Sequence, residues 1–554
     1  MEKVWLKSYP PRWPAQIDAT RLRTLKELLE TTCAQHADRV AFIQMQATLT
    51  YRQLDRLSRG FAAWLQHAGF GKGDRLAIML PNTLQYPIAL FGALRAGLVV
   101  VNTNPLYTPP ELQHQLSDCG ATAIVVLENF AHVVEKVLPN TQLKRVLVTG
   151  VGDYLGFPKS LIVNYVVRHR RKQVPPWHMA IASAFKAAVT RGLTLPLSPV
   201  ELTPDDLALL QYTGGTTGVS KGAMLSHGNV SANVLQSEAS LGDTFGEFKE
   251  SGATLLTAIP LYHIFALSCN CLLFSRLGWT NLLIVNPRDL KSLIADLTRH
   301  PCTFISGVNT LFNAMLHAPG FDRIDFSKLR ITLGGGMAVQ AAVAERWKER
   351  TGNVLTQAWG LTETSPAACI NPPGEPFNGS IGLPIASTEV AIKDDDGRDL
   401  ELGQTGEICV RGPQVMRGYW NRPDETAKVM LPEGWLRTGD LGRMDARGFV
   451  YIEDRKKDMI LVSGFKVFPN EVEAVAAQHP GIFEAAAIAE PDEHSGEVVA
   501  LFVVRKDQSL TEKEIIEFCR KSLVAYKVPR HVYFRTELPK SNVGKILRKA
   551  LREE

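Results

Sequence analysis

Apolar residues recur at helical spacing over residues 25–33 and 51–66, so both stretches predict helices with one buried face. Residues 75–80 read as a short strand closed by Pro81-Asn82, 85–96 as a helix, and 98–101 as a buried β-branched strand. A helix over 106–119 and a strand over 123–127 continue the alternation. Strands and helices alternating at this pace predict a parallel, doubly wound sheet. The rhythm returns further on, with strands at 303–306 and 328–336, a helix at 338–350 and a strand at 354–359. From 389 to 450 the pattern changes to short strands separated by turn signals such as Asp396-Gly397 and Arg447-Gly448, which predicts a β-rich unit. The C-terminal stretch predicts a small α/β domain, with helices at 470–478 and 512–523 and strands at 485–489 and 497–504. The chain carries no internal repeat and no low-complexity linker.

At 554 residues the chain is long enough for several structural units. Apolar content of 45% and charged content of 21% are ordinary for a folded protein, and a net charge of +5 does not argue for nucleic acid. The eight cysteines are scattered without any Cys-x-x-Cys pair, and no signal-peptide pattern opens the chain. They read as reduced core residues of a cytoplasmic protein.

Two stretches change this picture. Residues 252–275 contain no Asp, Glu, Lys or Arg and are long enough to span a bilayer, but Pro260, Tyr262, His263, Ser268 and Asn270 interrupt them. Two buried elements around a proline-led turn fit better. Residues 153–194 hold Lys159, Arg168, Arg170, Arg171, Lys172, Lys186 and Arg191 against the single acid Asp153, with Leu161, Ile162, Tyr165, Val166, Trp177 and Phe185 interleaved. That composition fits a solvated basic insertion and, equally, an interfacial segment on anionic lipid.

The candidate chemistry centres on 212–222, which reads Y-T-G-G-T-T-G-V-S-K-G between two short apolar runs, 207–210 and 223–225. Glycines let backbone approach a ligand, while hydroxyls, N–H groups and Lys221 supply donors and charge, as a phosphate cradle requires. The stretch is neither a Walker A loop nor G-x-G-x-x-G, and taken alone an ordinary Gly/Thr turn also accounts for it. Glu363 follows a strand and Thr362, as a Mg²⁺ carboxylate or as a capping residue. Asp440 lies behind Gly439, as a ribose acceptor or in an Asx-turn. Lys545 follows Gly544 near the C-terminus, where a solvated basic tail is the plain alternative.

Together and in this order the stretches resemble the adenylate-forming superfamily of acyl-CoA ligases, peptide-synthetase adenylation domains and luciferases, over nearly the whole chain. Residues 212–222 are similar to its phosphate loop, and 260–265 (P-L-Y-H-I-F) to the aromatic/His motif beside the acyl site. Gly334-Gly335-Gly336 and 357–363 resemble the adenine wall and metal motif. Asp440 resembles the ribose acid, 454–458 (D-R-K-K-D) the interdomain hinge, and 539–545 the catalytic-lysine loop. Residues 433–458 are similar to the signature of fatty-acyl-CoA ligases, the bacterial long-chain enzymes in particular. Trp359 stands where the family usually has Tyr against adenine, and Lys466 where some relatives carry Trp near the CoA path.

The resemblance implies an α/β fold with an N-terminal domain over 1–453, carrying the basic insertion and a β-rich subdomain over 389–453. A hinge at 454–458 and a small mobile domain over 459–554 complete it. It implies ATP, Mg²⁺ and coenzyme A as cosubstrates and cofactor, and a fatty acid as acyl donor. Catalytic roles fall to Lys545, Glu363 and His263, although His263 is as readily a core histidine. Nucleotide and CoA contacts fall to Thr213, Gly214, Gly215, Thr216, Thr217, Gly218, Ser220, Lys221, Gly334, Gly335, Gly336, Gln357, Trp359, Gly360, Thr362, Asp440, Arg455, Lys457, Gly464 and Lys466, and the metal to Thr213 and Glu363. A peripheral place on the inner membrane face is expected, and a homodimer is compatible with the sequence. The rivals are a ligase for medium-chain or aromatic acids, luciferase-type chemistry, an amino-acid adenylation module, and a membrane fatty-acid binding or uptake protein without catalysis. His263–Leu267 lacks the Asp that an amino-acid module usually carries, and no carrier domain follows the lysine loop.

Overall fold

Threonine caps start the first helices where apolar periodicity predicts them. Thr24 begins Leu25–Gln35 and Thr50 begins Tyr51–His67, and in each the side chain three residues on, Glu27 or Gln53, returns a bond to the cap. The helix expected from residue 106 begins at Pro109 instead. Leu106 N–H is taken by Asn104 Oδ1 at 3.0 Å, which holds a turn there, and Thr108 then caps the helix. The computed structural model describes residues 2–213, 220–246 and 248–553.

Among the described residues the strands form sheets of nine, seven, five and four. The seven-stranded sheet runs Ala182–Ala184, Arg145–Thr149, Ala123–Leu127, Arg75–Met79, Val99–Asn102, Leu207–Thr213, Lys221–Ser226, parallel except for the last pair. The nine-stranded sheet has a parallel centre (Leu355–Gly360, Ile331–Gly334, Phe304–Gly307, Thr254–Thr257, Thr280–Leu283, Val40–Gln44) with antiparallel strands at both ends. Central strands such as Ala123–Leu127 and Val99–Asn102 are buried along their whole length, as a sheet covered on both faces demands. The β-rich unit is a four-stranded antiparallel sheet from Glu389–Lys393 to Val450–Arg455. The five-stranded C-terminal sheet is built on the long hairpin Ile482–Asp492/Gly496–Arg505.

The basic stretch is more than an insertion. Its second half supplies the edge strand Ala182–Ala184 and the helix Phe185–Gly192, which packs against Tyr51–His67. Phe185 is fully buried against Phe61, so it is not a membrane-facing residue as its place in a basic segment suggested. Gly60 and Gly192 let these two helices meet, since a Cβ on Gly192 would lie 1.7 Å from Gly60 O.

Residues 252–275 form the buried strand Thr254–Thr257 and, beyond the proline-led turn, the buried turns Ala266–Leu273 and Phe274–Arg276. Among the described residues no helix is long and apolar enough to cross a membrane. All eight cysteines are buried and unpaired.

Candidate active site

The edges of the two large sheets and the C-terminal domain enclose a cleft of about 1750 Å³. The antiparallel pair Leu207–Thr213/Lys221–Ser226 delivers Thr213 and Lys221 to its rim, in register with each other. Gly214, Gly215, Thr216, Thr217 and Gly218 lie outside the described residues. Ser220 stays off the cleft wall, its carbonyl 3.0 Å from His114 Nε2.

Strand ends from the nine-stranded sheet build the opposite wall. Gly335 and Gly336 follow Ile331–Gly334, and Gln357, Trp359 and Gly360 end Leu355–Gly360. Gly334 itself is a packing residue, because a Cβ there would meet Leu355 and Val339 at 2.6 and 2.8 Å. Gly336 has φ +79°, and a Cβ would lie 3.3 Å from Lys545 Cε, so the absent side chain is what lets the lysine lie along this backbone. Gln357 lines the cleft, and its Oε1 is buried without a hydrogen-bond partner in the protein.

Asp440 is almost wholly buried, and Trp359 Nε1 donates to its Oδ2 at 3.0 Å. Arg455 Nε lies 3.2 Å from Oδ1 yet out of line for a hydrogen bond, so Oδ1 keeps an acceptor position for a hydroxyl. Glu363 sits one residue into the turn Thr362–Thr364, and Tyr419 Oη donates to its Oε1 at 2.7 Å. Lys221 Nζ lies over the Tyr419 ring, 4.8 Å from its centroid, and pairs with Glu425 Oε2 at 2.6 Å.

The C-terminal domain carries Lys545 into the cleft. Thr310 Oγ1 donates to Gly544 O at 2.9 Å and Asn313 Nδ2 to Phe483 O at 3.1 Å, which fixes the lysine loop against helix Asn309–Leu316. Burial and then the Arg455 charge lower Lys545 to about 8, while Asp440 and Glu363 pull the other way. Lys457 is likewise lowered to about 8, mainly by burial. His263 is held at about 3 by burial and by Lys545, and its Nδ1 accepts from Phe265 N at 3.3 Å. It is therefore neutral, with Nε2 left as the donor.

Gly464 and Lys466 are not brought to the cleft. They lie exposed on the hairpin Ile460–Val462/Phe465–Val467, and a Cβ on Gly464 would meet nothing within 4 Å. Tyr419 and Glu425 were invisible in the sequence, because their partners lie 56 and 204 residues away. A tyrosine after Gly418 carries no local signal that it will meet Glu363. Arg548 was also missed. Its guanidinium donates to Asp454 Oδ1 at 3.2 Å, Asn470 Oδ1 at 2.7 Å and Glu473 Oε1 at 2.9 Å, tying the residue expected to hinge into the small domain.

Among the described residues no group of three or more His, Cys, Asp or Glu could hold a metal. Glu363 and the Thr213 hydroxyl line the cleft together with Lys221. That sparse, oxygen-only donor set fits Mg²⁺ arriving with a nucleotide, which binds through one or two carboxylates and substrate phosphates.

These features agree with what the chain is similar to. An AMP-binding enzyme domain matches residues 29–420 and an AMP-binding enzyme C-terminal domain matches 471–545. The chain belongs to the AMP-binding enzyme family. Two curated relatives share its full length: a long-chain-fatty-acid–CoA ligase of Escherichia coli O157:H7, 53% identical over 100% of this chain and 98% of the relative, and one of Haemophilus influenzae, 49% identical over 100% and 99%. Among solved structures, the anthranilate CoA ligase AuaEII in complex with anthranoyl-AMP superposes with a TM-score of 0.85 at 25% identity, over 97% of this chain and 98% of that one.

Proposed function

We propose that the chain activates long-chain fatty acids to acyl-CoA through an acyl-adenylate. A carboxylate oxygen attacks the α-phosphorus of ATP, the α–β anhydride bond breaks and pyrophosphate leaves. The sulfur of coenzyme A then attacks the acyl carbonyl carbon, AMP leaves, and the thiol proton is released. The observation that carries this reading is Lys545, delivered by the C-terminal domain onto the Gly336 backbone in the cleft that also holds Asp440 and Glu363.

Positioning and electrostatics supply the first step, because charge moves onto phosphate oxygens and no protein atom forms a bond. Lys545 bridges the incoming carboxylate and the α-phosphate. Lys221 exchanges Glu425 for the β- and γ-phosphates. Asp440 Oδ1 and Arg455 take the ribose hydroxyls, and Gln357 Oε1 faces the adenine edge beside the Trp359 ring. Thr213 and Glu363 would hold Mg²⁺, which would neutralise phosphate charge; Tyr419 orients the Glu363 carboxylate. His263, neutral beside Lys545, steers the substrate carboxylate by donation from Nε2.

Apolar residues 264, 265, 241, 333 and 370 line the same cleft, which supports an aliphatic acyl chain. Thioester formation requires CoA where Lys545 stands, so the C-terminal domain turns about Asp454 between steps and brings Gly464 and Lys466 to the cleft. The reading places the enzyme in the cytoplasm with its ATP and CoA, and sedimentation equilibrium decides between monomer and homodimer. Pyrophosphate release and thioester formation over a panel of acids test it. Palmitate should outperform octanoate and cinnamate-type acids in kcat/KM. Equal or better turnover of the aromatic acids would overturn the long-chain assignment, and binding of palmitate without pyrophosphate release would overturn the activity.

A further inference from the structure

The helix Lys159–Tyr165 and the π-helical turn Val166–Arg170 that continues it are built the wrong way round for a water-exposed element. The inward side holds the buried Val167 together with hydrogen-bonded polar groups. Asn164 accepts from Gly152 N and donates to Asp153 Oδ1, both at 2.8 Å. Arg168 pairs at 2.7 Å with Glu128, which is buried. The outward side is apolar. Phe157, Leu161 and Ile162, exposed by 85%, 64% and 58%, are the three most exposed large apolar side chains among the described residues, and Tyr165 beside them is exposed by 56%. A soluble surface scatters such residues singly, whereas a contiguous patch marks a contact surface.

Beyond the inner Asp153 and Glu128, the charge along this stretch of chain has one sign. No Asp or Glu occurs between 154 and 200. Arg170, Arg171 and Lys172 follow the apolar face, are exposed, and make no ion pair among the described residues. Lys159 and Arg168 are already used, by the Met45 carbonyl and by Glu128. Apolar side chains that insert, ended by basic side chains that stay in the headgroup layer, match an anionic bilayer surface. The inner hydrogen bonds hold the element in place beforehand, so little ordering opposes insertion.

We propose that residues 157–172 are the membrane-docking face of this protein, with Phe157, Leu161, Ile162 and Tyr165 entering the interface and Arg170, Arg171 and Lys172 meeting anionic headgroups. This goes beyond the activity proposed above and stands on the surface alone. Trp177 and Phe185, apolar residues of the same basic stretch, take no part, because Trp177 packs against the core and Phe185 is buried.

Vesicle sedimentation tests the proposal, with phosphatidylglycerol-containing vesicles against pure phosphatidylcholine. Wild-type protein should bind the anionic vesicles and release with salt. Leu161→Asp/Ile162→Asp should weaken binding roughly a hundredfold, about tenfold for each inserted side chain. Arg170→Glu/Arg171→Glu should weaken it by roughly fivefold per charge removed and flatten the salt dependence. Both pairs are exposed, so unfolding transitions and octanoate turnover without vesicles should match wild type. Loss of octanoate turnover in wild type itself would instead count against the activity reading and leave the docking result readable. A fluorophore on Phe157→Cys, the one accessible thiol because all native cysteines are buried, should shift to the blue on anionic vesicles. Folded variants that sediment like wild type, a wild type that ignores the vesicles, or an unshifted fluorophore would each overturn the proposal. So would a dimer that Leu161→Asp/Ile162→Asp converts to monomer, since the patch would then belong to a second copy.

Discussion

Trp359 and Asp440 share a hydrogen bond deep in the cleft, indole Nε1 to carboxylate Oδ2 at 3.0 Å. The indole thus does two things that a phenol at this place could not do in the same way: it offers a ring face and fixes the carboxylate. Trp359→Phe keeps the face and leaves a buried charge short of a donor. A stability loss of about 1–3 kcal/mol is expected. The Kd for ATP should rise roughly tenfold, and the same variant should discriminate less between ATP and 2′,3′-dideoxy-ATP than wild type does. Calorimetry with both nucleotides checks this.

Lys545→Ala should separate the half-reactions. Adenylation should fall on the order of 10²–10³-fold, as for one preorganised donor at a developing oxyanion. Thioester formation from synthetic acyl-adenylate and CoA should stay near wild type. Single-turnover assays of each step decide, and equal loss in both would contradict the two-pose cycle.

The pH profile carries the same lysine. Burial lowers Lys545 to about 8, so its charge is lost as pH rises through that value. The kcat/KM of adenylation should therefore decline above about pH 8, and Lys545→Arg, which stays charged, should remove that limb at reduced rate. His263 at about 3 contributes no acid limb from pH 5 upward.

Arg548 holds together Asp454, Glu473 and, at 3.5 Å, Asp458. Burial raises Asp454 and Glu473 above the ordinary carboxylate range. Arg548→Met leaves these carboxylates without their cation and should destabilise the C-terminal domain by about 3–5 kcal/mol. Between the unfolded and folded values the folded chain binds more protons, so stability falls as pH rises through that window. The variant's deficit should shrink as pH falls through that window. Chemical denaturation at two pH values checks both size and direction.

Much of the site could be read locally because its pieces break the packing pattern within a few residues. Gly335-Gly336, Thr362-Glu363, Gly439-Asp440 and Gly544-Lys545 each place polar chemistry after a strand or a glycine turn, and all reach one cleft. Tyr419 and Arg548 could not be read, since Tyr419 acts on Glu363 and Arg548 on Asp454, 56 and 94 residues away. The same reason hides the edge strand Ala182–Ala184, which sits in a basic stretch and pairs only with Arg145–Thr149, since three short residues become a strand only through the neighbour they pair with. The apolar face at 157–165 was blurred in the sequence because Trp177 and Phe185, which turn inward, have the same composition as the residues that turn outward.

The buried cysteines bear on a hazard of the proposed chemistry. An acyl-adenylate is a reactive anhydride, and any thiolate within reach would take the acyl group onto the enzyme itself. Cys269 borders the cleft, yet burial lifts its thiol to about 12, so it remains protonated and unreactive near neutral pH. The other seven are buried as well. The fold thereby keeps its own sulfur chemically silent, and the thiol that meets the anhydride is the one that arrives on coenzyme A; alkylating reagents added to the folded enzyme should leave its turnover untouched.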